Sequence, residues 1–293
     1  VLREAGQRAL SGSSQGSSLT VSTWRAMGAC CAKPEIASDS DDVWPAAAHG
    51  PFPKRQPATA PPRSVATGNL PGNGPRPIPF AGPGGAGLIA FYFPGHEEEW
   101  DRLCQSGFLG NFYLLDEPMH LEAPKQPGRG FRFSNAEAAF QALKFWDRAA
   151  AFQDLSGSEA FHRKKSLQGQ EDFTYAGFGS NWAGMMQVLR AKFRPGTKMA
   201  ALLESTKDAF LLEHNAKTGR DKIWSDNFKG DGLNWLGLQL MLVRDESRAH
   251  KPWTAWLAQH VDLRTGKVDQ EWQQTVRFAV QTLNQSLAMP ARV

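Results

Sequence analysis

Phe131-Arg132-Phe133-Ser134-Asn135-Ala136-Glu137-Ala138-Ala139-Phe140-Gln141-Ala142-Leu143-Lys144-Phe145 is the stretch from which the fold can be read. Phe131, Arg132 and Phe133 alternate apolar, polar, apolar, as a strand with one buried face does. After Ser134 the period changes. Ala136, Ala139, Phe140 and Leu143 recur three and four residues apart, which predicts a helix with one apolar stripe and Ser134 as its N-cap.

Working outward, Leu88-Ile89-Ala90-Phe91-Tyr92-Phe93 reads as an opening strand, and Leu109 to Leu115 as a loop feeding a second one. Pro118, Pro124, Pro127 and the glycines up to Gly130 mark a hairpin or loop. Downstream, helices are predicted over 158–167, 182–193 and 198–203; the second carries Trp182, Met186, Leu189 and Phe193 on one face and is closed by Pro195-Gly196. Phe210 to Glu213 has the look of a short strand, and Leu236 to Arg244 is another apolar-faced segment. Beyond Arg248, a stripe of Trp272, Val276, Ala279, Leu283 and Leu287 predicts a terminal amphipathic helix docked on the domain. With no repeat and no βαβ cadence, the expected class is α+β, a compact, helix-rich single domain with short strands.

Composition divides the chain further. Residues 1–87 are crowded with Gly, Pro, Ser and Ala and follow no helix or strand period, so they are expected to form a disordered tail. Residues 88–248 then make the domain, and 249–293 a C-terminal helical extension. The 3 cysteines form neither a disulfide framework nor a zinc site, which fits a reducing compartment, cytoplasmic or nuclear. No run approaches the ~20 apolar residues of a membrane span. A net charge of +4 leans toward anionic partners, though it is too small and scattered to specify nucleic acid by itself. Met27-Gly28 ahead of Cys30 and Cys31 has the outline of a dual acylation signal, but Ala32 stands where Ser or Thr is needed, which favours an ordinary leader.

The face of the 136–143 helix opposite its apolar stripe carries Glu137, Gln141, Lys144 and Arg148. Such a strip is solvated surface by default. Glu137 also stands three residues after Ser134, the spacing of a capping box. A functional strip is the third reading. Downstream lie Glu213-His214, Asp221, Trp224 and Gly232-Leu233-Asn234-Trp235-Leu236-Gly237. That last turn could offer backbone N–H groups to a phosphate, or be a plain turn with an N-cap Asn. Trp182 and Trp224 could stack a flat base, or belong to the core. His214 reads as structural, and Glu97-Glu98-Glu99 as a solvated face.

In order, Leu109-Gly110-Asn111-Phe112, Ala136 to Phe145, Leu189-Arg190-Ala191-Lys192-Phe193, Phe210 to His214 with Asp221 and Trp224, and Asn234-Trp235-Leu236-Gly237 with Leu240 to Arg244 resemble the NADAR (YbiA-like) family. The resemblance covers about Phe91 to Arg248, and Glu-x-x-Phe-Gln-x-x-Lys-Phe is its most specific part. It implies a helix-rich α+β fold and an N-glycosidase, acting on ribosylamine intermediates of riboflavin synthesis or removing ADP-ribose from guanine. It also implies that Glu137, Gln141, Lys144, Asp221, Trp224 and Asn234 line the pocket. Ala138 stands where the family often has His.

On that resemblance Glu137 is expected to transfer the proton, Lys144 to contact phosphate or sugar or to form an imine, and Asp221 to orient ribose hydroxyls. Asn111, Phe112, Gln141, Lys164, Lys165, Trp182, Trp224, Asn234 and Gly237 are expected to bind substrate. Neither metal nor organic cofactor is expected. The expected partner is a phosphorylated ribosyl substrate. ADP-ribosyl-guanine, with nucleic acid as its carrier, is favoured over a ribosylaminopyrimidine phosphate because Arg163-Lys164-Lys165 and the indoles of Trp182, Trp224 and Trp235 offer charge and flat surface. A non-catalytic ADP-ribose reader is the rival from another class; it would need neither Glu137 nor Lys144. A scaffold with a vestigial pocket, its long tail being the active part, is a further rival.

Overall fold

A computed structural model describes residues 74–289, apart from 84, 86, 93 and 95–97. The acylation outline at Gly28, Cys30 and Cys31, most of the expected tail, Phe93 and Glu97 lie outside the described residues.

The fold is α+β and rich in helix. Four short strands make two separate two-stranded sheets. β1 (Leu88–Phe91) pairs in parallel with β4 (Phe210–Glu213), Leu88 facing Phe210 and Phe91 facing Glu213. All four β1 residues are buried, as a continuous apolar run requires of a strand covered on both faces. β2 (Met119–Glu122) and β3 (Gly130–Phe133) form an antiparallel hairpin, inside the stretch expected to be a hairpin or loop. There Met119 and Leu121 turn inward while His120 and Glu122 face out.

α1 (Glu99–Cys104) lies where a solvated acidic face was expected; Trp100, Asp101 and Cys104 are buried. Asp101 Oδ1 accepts from the Tyr92 amide at 2.8 Å, which ties α1 to the end of β1. The 136–143 helix is α2 (Ala136–Leu143), followed by a kinked 3₁₀ segment, Trp146–Phe152. α3 (Gly157–Ser166), α4 (Asn181–Lys192) and α5 (Lys198–Ser205) follow near their expected bounds. α6 (Trp235–Glu246) is buried from Trp235 through Asp245 and packs on β4. Its polar side chains are tied internally: Arg244 donates to Thr206 Oγ1 at 2.7 Å and to the Ala209 carbonyl at 2.9 Å.

The segment beyond Arg248 forms α7 (Pro252–His260) and α8 (Gln270–Ala288). Asp269 caps α8 by accepting from the Trp272 amide, and Trp272, Val276, Ala279 and Leu283 are buried as the stripe predicted. α7 was not anticipated. Its start, at Pro252, is a residue that suits the first turn of a helix but breaks any apolar period read across it.

The boundary of the expected tail needs correcting. Ile78 and Phe80 are buried, Ile78 exchanges backbone hydrogen bonds with Leu88, and the Arg76 amide donates to the Cys104 carbonyl at 2.8 Å. The folded part therefore starts no later than Gly74. Two apolar residues among prolines carry no periodic signal, yet they cover the otherwise open edge of β1.

Candidate functional site

α2 begins one residue later than its sequence suggested. Asn135 is the N-cap, its Oδ1 accepting from the Ala138 amide at 2.8 Å. Ser134 Oγ instead donates to the Gln153 carbonyl. A cap at Asn135 puts Glu137 at the second helical position, out of register for a capping box. Its carboxylate Oε1 accepts from Gln141 Nε2 at 2.8 Å, one turn further on.

The polar strip of α2 is buried rather than solvated. Glu137, Gln141 and Lys144 are 8%, 2% and 1% exposed, while Arg148, beyond the helix, is exposed. Gln141 Oε1 is buried without a partner. Lys144 Nζ lies over the Phe140 ring at 5.2 Å and the Tyr175 ring at 5.7 Å, a cation held against π faces. The Glu137 amide donates to the Asn111 carbonyl at 3.0 Å, so the loop after Leu109 is fastened to the start of α2. Asn111 Nδ2 reaches Met185 Sδ, and its Oδ1 is buried and unpartnered.

Other acidic and basic groups converge on the same region. The C-terminal ends of β1 and β4 meet there, bringing Tyr92 and Glu213 together. Asp221 follows on the next loop, its Oδ1 accepting from the Ile223 and Trp224 amides at 2.8 and 2.9 Å. Arg220 lies over the Tyr92 ring at 5.4 Å. Burial raises the Glu213 carboxyl well above the usual carboxylate range, and the charges of Asp221, Asp226 and Glu137 push it the same way while Arg220 opposes them. Part of the Glu213 residue meets solvent, but its Oε2 is sealed and has no partner. Burial also raises the Tyr92 hydroxyl, against the pull of Arg220.

Lys192 closes the back of this group. Its ammonium donates to the Leu109 and Gly110 carbonyls at 3.2 and 2.8 Å, and burial brings its pKa down to about 7 against the charge of Glu213. Glu213 stood in the downstream candidate cluster without an assigned role, and Lys192 only in a quoted motif. A Glu ending an apolar strand and a Lys ending an apolar-faced helix are the signals that could have found them.

The remaining expected residues divide. Phe112 packs on α3, where a Cβ at Gly157 would lie 2.5 Å from its ring. Lys164 is buried, whereas Lys165 is exposed with its ammonium over the Phe161 ring. Trp224 meets Phe140 edge-on at 5.3 Å, and its indole nitrogen has no hydrogen bond among the described residues. Trp182 and Trp235 are core residues as Trp224 is, Trp235 meeting Trp224 edge-on, and their indoles donate to the Leu263 and Gly266 carbonyls.

Asn234 and Gly237 are likewise internal. Asn234 is left-handed, φ 51° and ψ 41°, and its side chain bridges the Glu213 amide and the Leu211 carbonyl at 2.9 Å each. A Cβ at Gly237 would lie 2.1 Å from the Leu211 carbonyl oxygen, so α6 can approach β4 only with glycine there. The Trp235 and Leu236 amides donate to the Ile223 and Trp224 carbonyls, which removes them from the phosphate turn expected there. His214 is structural, its Nδ1 paired with Asp226 Oδ2 at 2.5 Å.

A family model described as "NADAR domain" matches residues 92–248. A "Riboflavin biosynthesis protein" of Vibrio vulnificus (strain YJ016) is 30% identical over 169 residues, 57% of this chain and 41% of that protein. This chain thus spans less than half of that relative's length. The "N-glycosidase YbiA" of Escherichia coli (strain K12) is 40% identical over 134 residues, 42% of this chain and 75% of that protein. The solved NMR structure of E. coli YbiA aligns with a TM-score of 0.39 and 24% identity, over 56% of this chain and 91% of that one.

Proposed function

The chain belongs to the NADAR domain family, and from that premise we propose that it is a hydrolase of N-glycosyl bonds, cleaving ribose from an exocyclic amine on a phosphorylated substrate. The observation that carries this reading is the buried strip of α2, where Glu137 and Gln141 are hydrogen-bonded and Lys144 follows one turn on. Burying polar and charged side chains along a helix is costly even when they are partly paired, buried titratable groups that cluster are candidates for function, and a reader of ADP-ribose would need neither the carboxylate nor the amine.

In the reaction water supplies the hydroxyl that bonds to C1′, the C1′–N bond breaks, and the amine nitrogen leaves with a proton. Glu137 gives that proton or takes the one that water releases. If the sugar ring opens first, the Lys144 amine can attack the imine carbon; the substrate amine departs and water then frees the lysine. In this reading Asp221 orients the ribose hydroxyls. Only water is needed besides these side chains.

Between the two substrates, the placement of the indoles favours the smaller one. ADP-ribosyl-guanine was favoured on three flat surfaces, of which Trp182 and Trp235 are tied into the core by hydrogen bonds and Trp224 is packed between Trp235 and Phe140. So little open flat surface favours the smaller ribosylaminopyrimidine phosphate, in keeping with the printed name of the Vibrio relative. Catalytic efficiencies on that compound and on an ADP-ribosylated guanine oligonucleotide, with products identified by mass, test both levels. Faster release of ADP-ribose restores the larger substrate. Binding of either without cleavage would leave a reader and remove the enzyme.

A further inference from the structure

We propose that residues 249–289, which lie beyond the family-matched segment, hold the pocket arm bearing Asp221 and Trp224 in position, with Trp235 and Gly266 as the positioning residues. This rests on the reading above only in treating that arm as part of the pocket.

The arm is a folded-back loop. Leu233, Asn234, Trp235 and Leu236 amides donate to the carbonyls of Lys222, Ser225, Ile223 and Trp224 at 2.8–3.1 Å. The C-terminal segment is hydrogen-bonded to its return half at Gly230, Gly232, Leu233 and Trp235. Trp272 donates its indole proton to the Leu233 carbonyl at 2.8 Å, and Gln273 Nε2 donates to the Gly230 and Gly232 carbonyls at 2.8 and 3.0 Å. Trp235 donates to the Gly266 carbonyl at 2.8 Å.

Gly266 belongs to a closed turn between α7 and α8. Val261 bridges Val268, and the Asp262 amide donates to the Lys267 carbonyl. Its φ of +72° is left-handed, and a Cβ there would fall 2.5 Å from the Trp182 ring and 2.8 Å from the Trp235 ring. From that turn a row of edge-on aromatic contacts runs inward. Trp235 meets Trp224 with centroids 5.6 Å apart, and Trp224 meets Phe140 at 5.3 Å, on the helix that carries Glu137. Indoles are stiff, and close-packed rings pass on a displacement rather than absorbing it. Three separate hydrogen-bonding side chains and one glycine therefore fix where Trp224 and Asp221 stand relative to α2.

The test uses the full chain with three substitutions. Trp235→Phe keeps a ring and removes the donor; Gly266→Val pushes the turn away from both indoles. Trp253→Phe is the control, losing the same kind of bond, to the Asp208 carbonyl, in the same segment but away from the arm. Amide exchange at Ile223 and Trp224, whose N–H groups bond Asp221, reads the arm directly and needs no substrate. Both arm variants are expected to exchange there about tenfold faster and to lose about tenfold in kcat/KM, while the control stays within about twofold on both. Unchanged exchange at those amides, with melting lowered as in the control, would make the segment a general stabiliser and overturn the proposal. Trp235→Phe decides the matter if Gly266→Val does not fold. Should the unmodified chain cleave neither substrate, the functional reading fails and the exchange result still stands on its own.

Discussion

Glu137→Gln separates catalysis from folding at one atom. The amide keeps the shape and the contact with Gln141 but cannot carry a proton, so turnover is expected to fall by about 10²–10⁴-fold. Melting should hardly move, because Asn135 caps the helix; Asn135→Ala is the substitution that costs about 1 kcal/mol, measurable by urea unfolding. Equal turnover in Glu137→Gln and the unmodified chain would remove Glu137 from the chemistry. Glu213 gives a prediction of another kind. Its raised pKa means the folded chain keeps a proton that the unfolded chain releases. The stability this contributes is complete below the ordinary glutamate value and is lost as pH rises through the folded one. Glu213→Gln should therefore flatten the fall in melting temperature as pH rises above the ordinary glutamate value. A parallel fall in both proteins would show that Glu213 is ionised in the fold. The sequence made Glu137, Gln141 and Lys144 legible because a short helix spaces them. Glu213 and Lys192 escaped because their interest comes from burial and from neighbours that only the fold supplies.

Among the elements, α2 to α5 and α8 were legible from apolar spacing, within a residue or two at most ends, and α6 showed only as an apolar-faced segment. α1 was hidden by the acidic residues around it, and β2 by the prolines that flank its alternating Met119, His120, Leu121 and Glu122. The β1–β4 pairing has no local signature at all, since each strand's partner lies far along the chain. The joint between β4 and α6 was misread for a related reason: a Gly-Leu-Asn-Trp-Leu-Gly turn looks the same whether its amides face a ligand or another loop. Asn234→Ala tests what the joint does. It removes two buried hydrogen bonds and leaves a left-handed alanine, an expected loss of about 2–4 kcal/mol by denaturant unfolding. A loss below about 1 kcal/mol, with ligand affinity reduced, would return Asn234 to the pocket.

Across the whole molecule, the start of the folded part can be measured by truncation. Ile78 and Phe80 are buried, and burial of such side chains is worth ~1.5–3 kcal/mol each, so a chain starting at Leu88 should be less stable than one starting at Gly74 by about 3–6 kcal/mol. Equal unfolding midpoints would put the boundary back at Gly87. The parallel pairing of β1 with β4 has a consequence in time as well. During synthesis Glu137 and Lys144 emerge well before Phe210–Glu213, and the turn around Gly266 emerges later still. A nascent chain ending near Ser205 can wind α2 but has no β4 to pair with β1, because that strand has not yet been made. On the proposed reading any hydrolytic competence arrives late, and an interrupted translation product would carry α2 with Glu137 and Lys144 but not the strand that closes on β1.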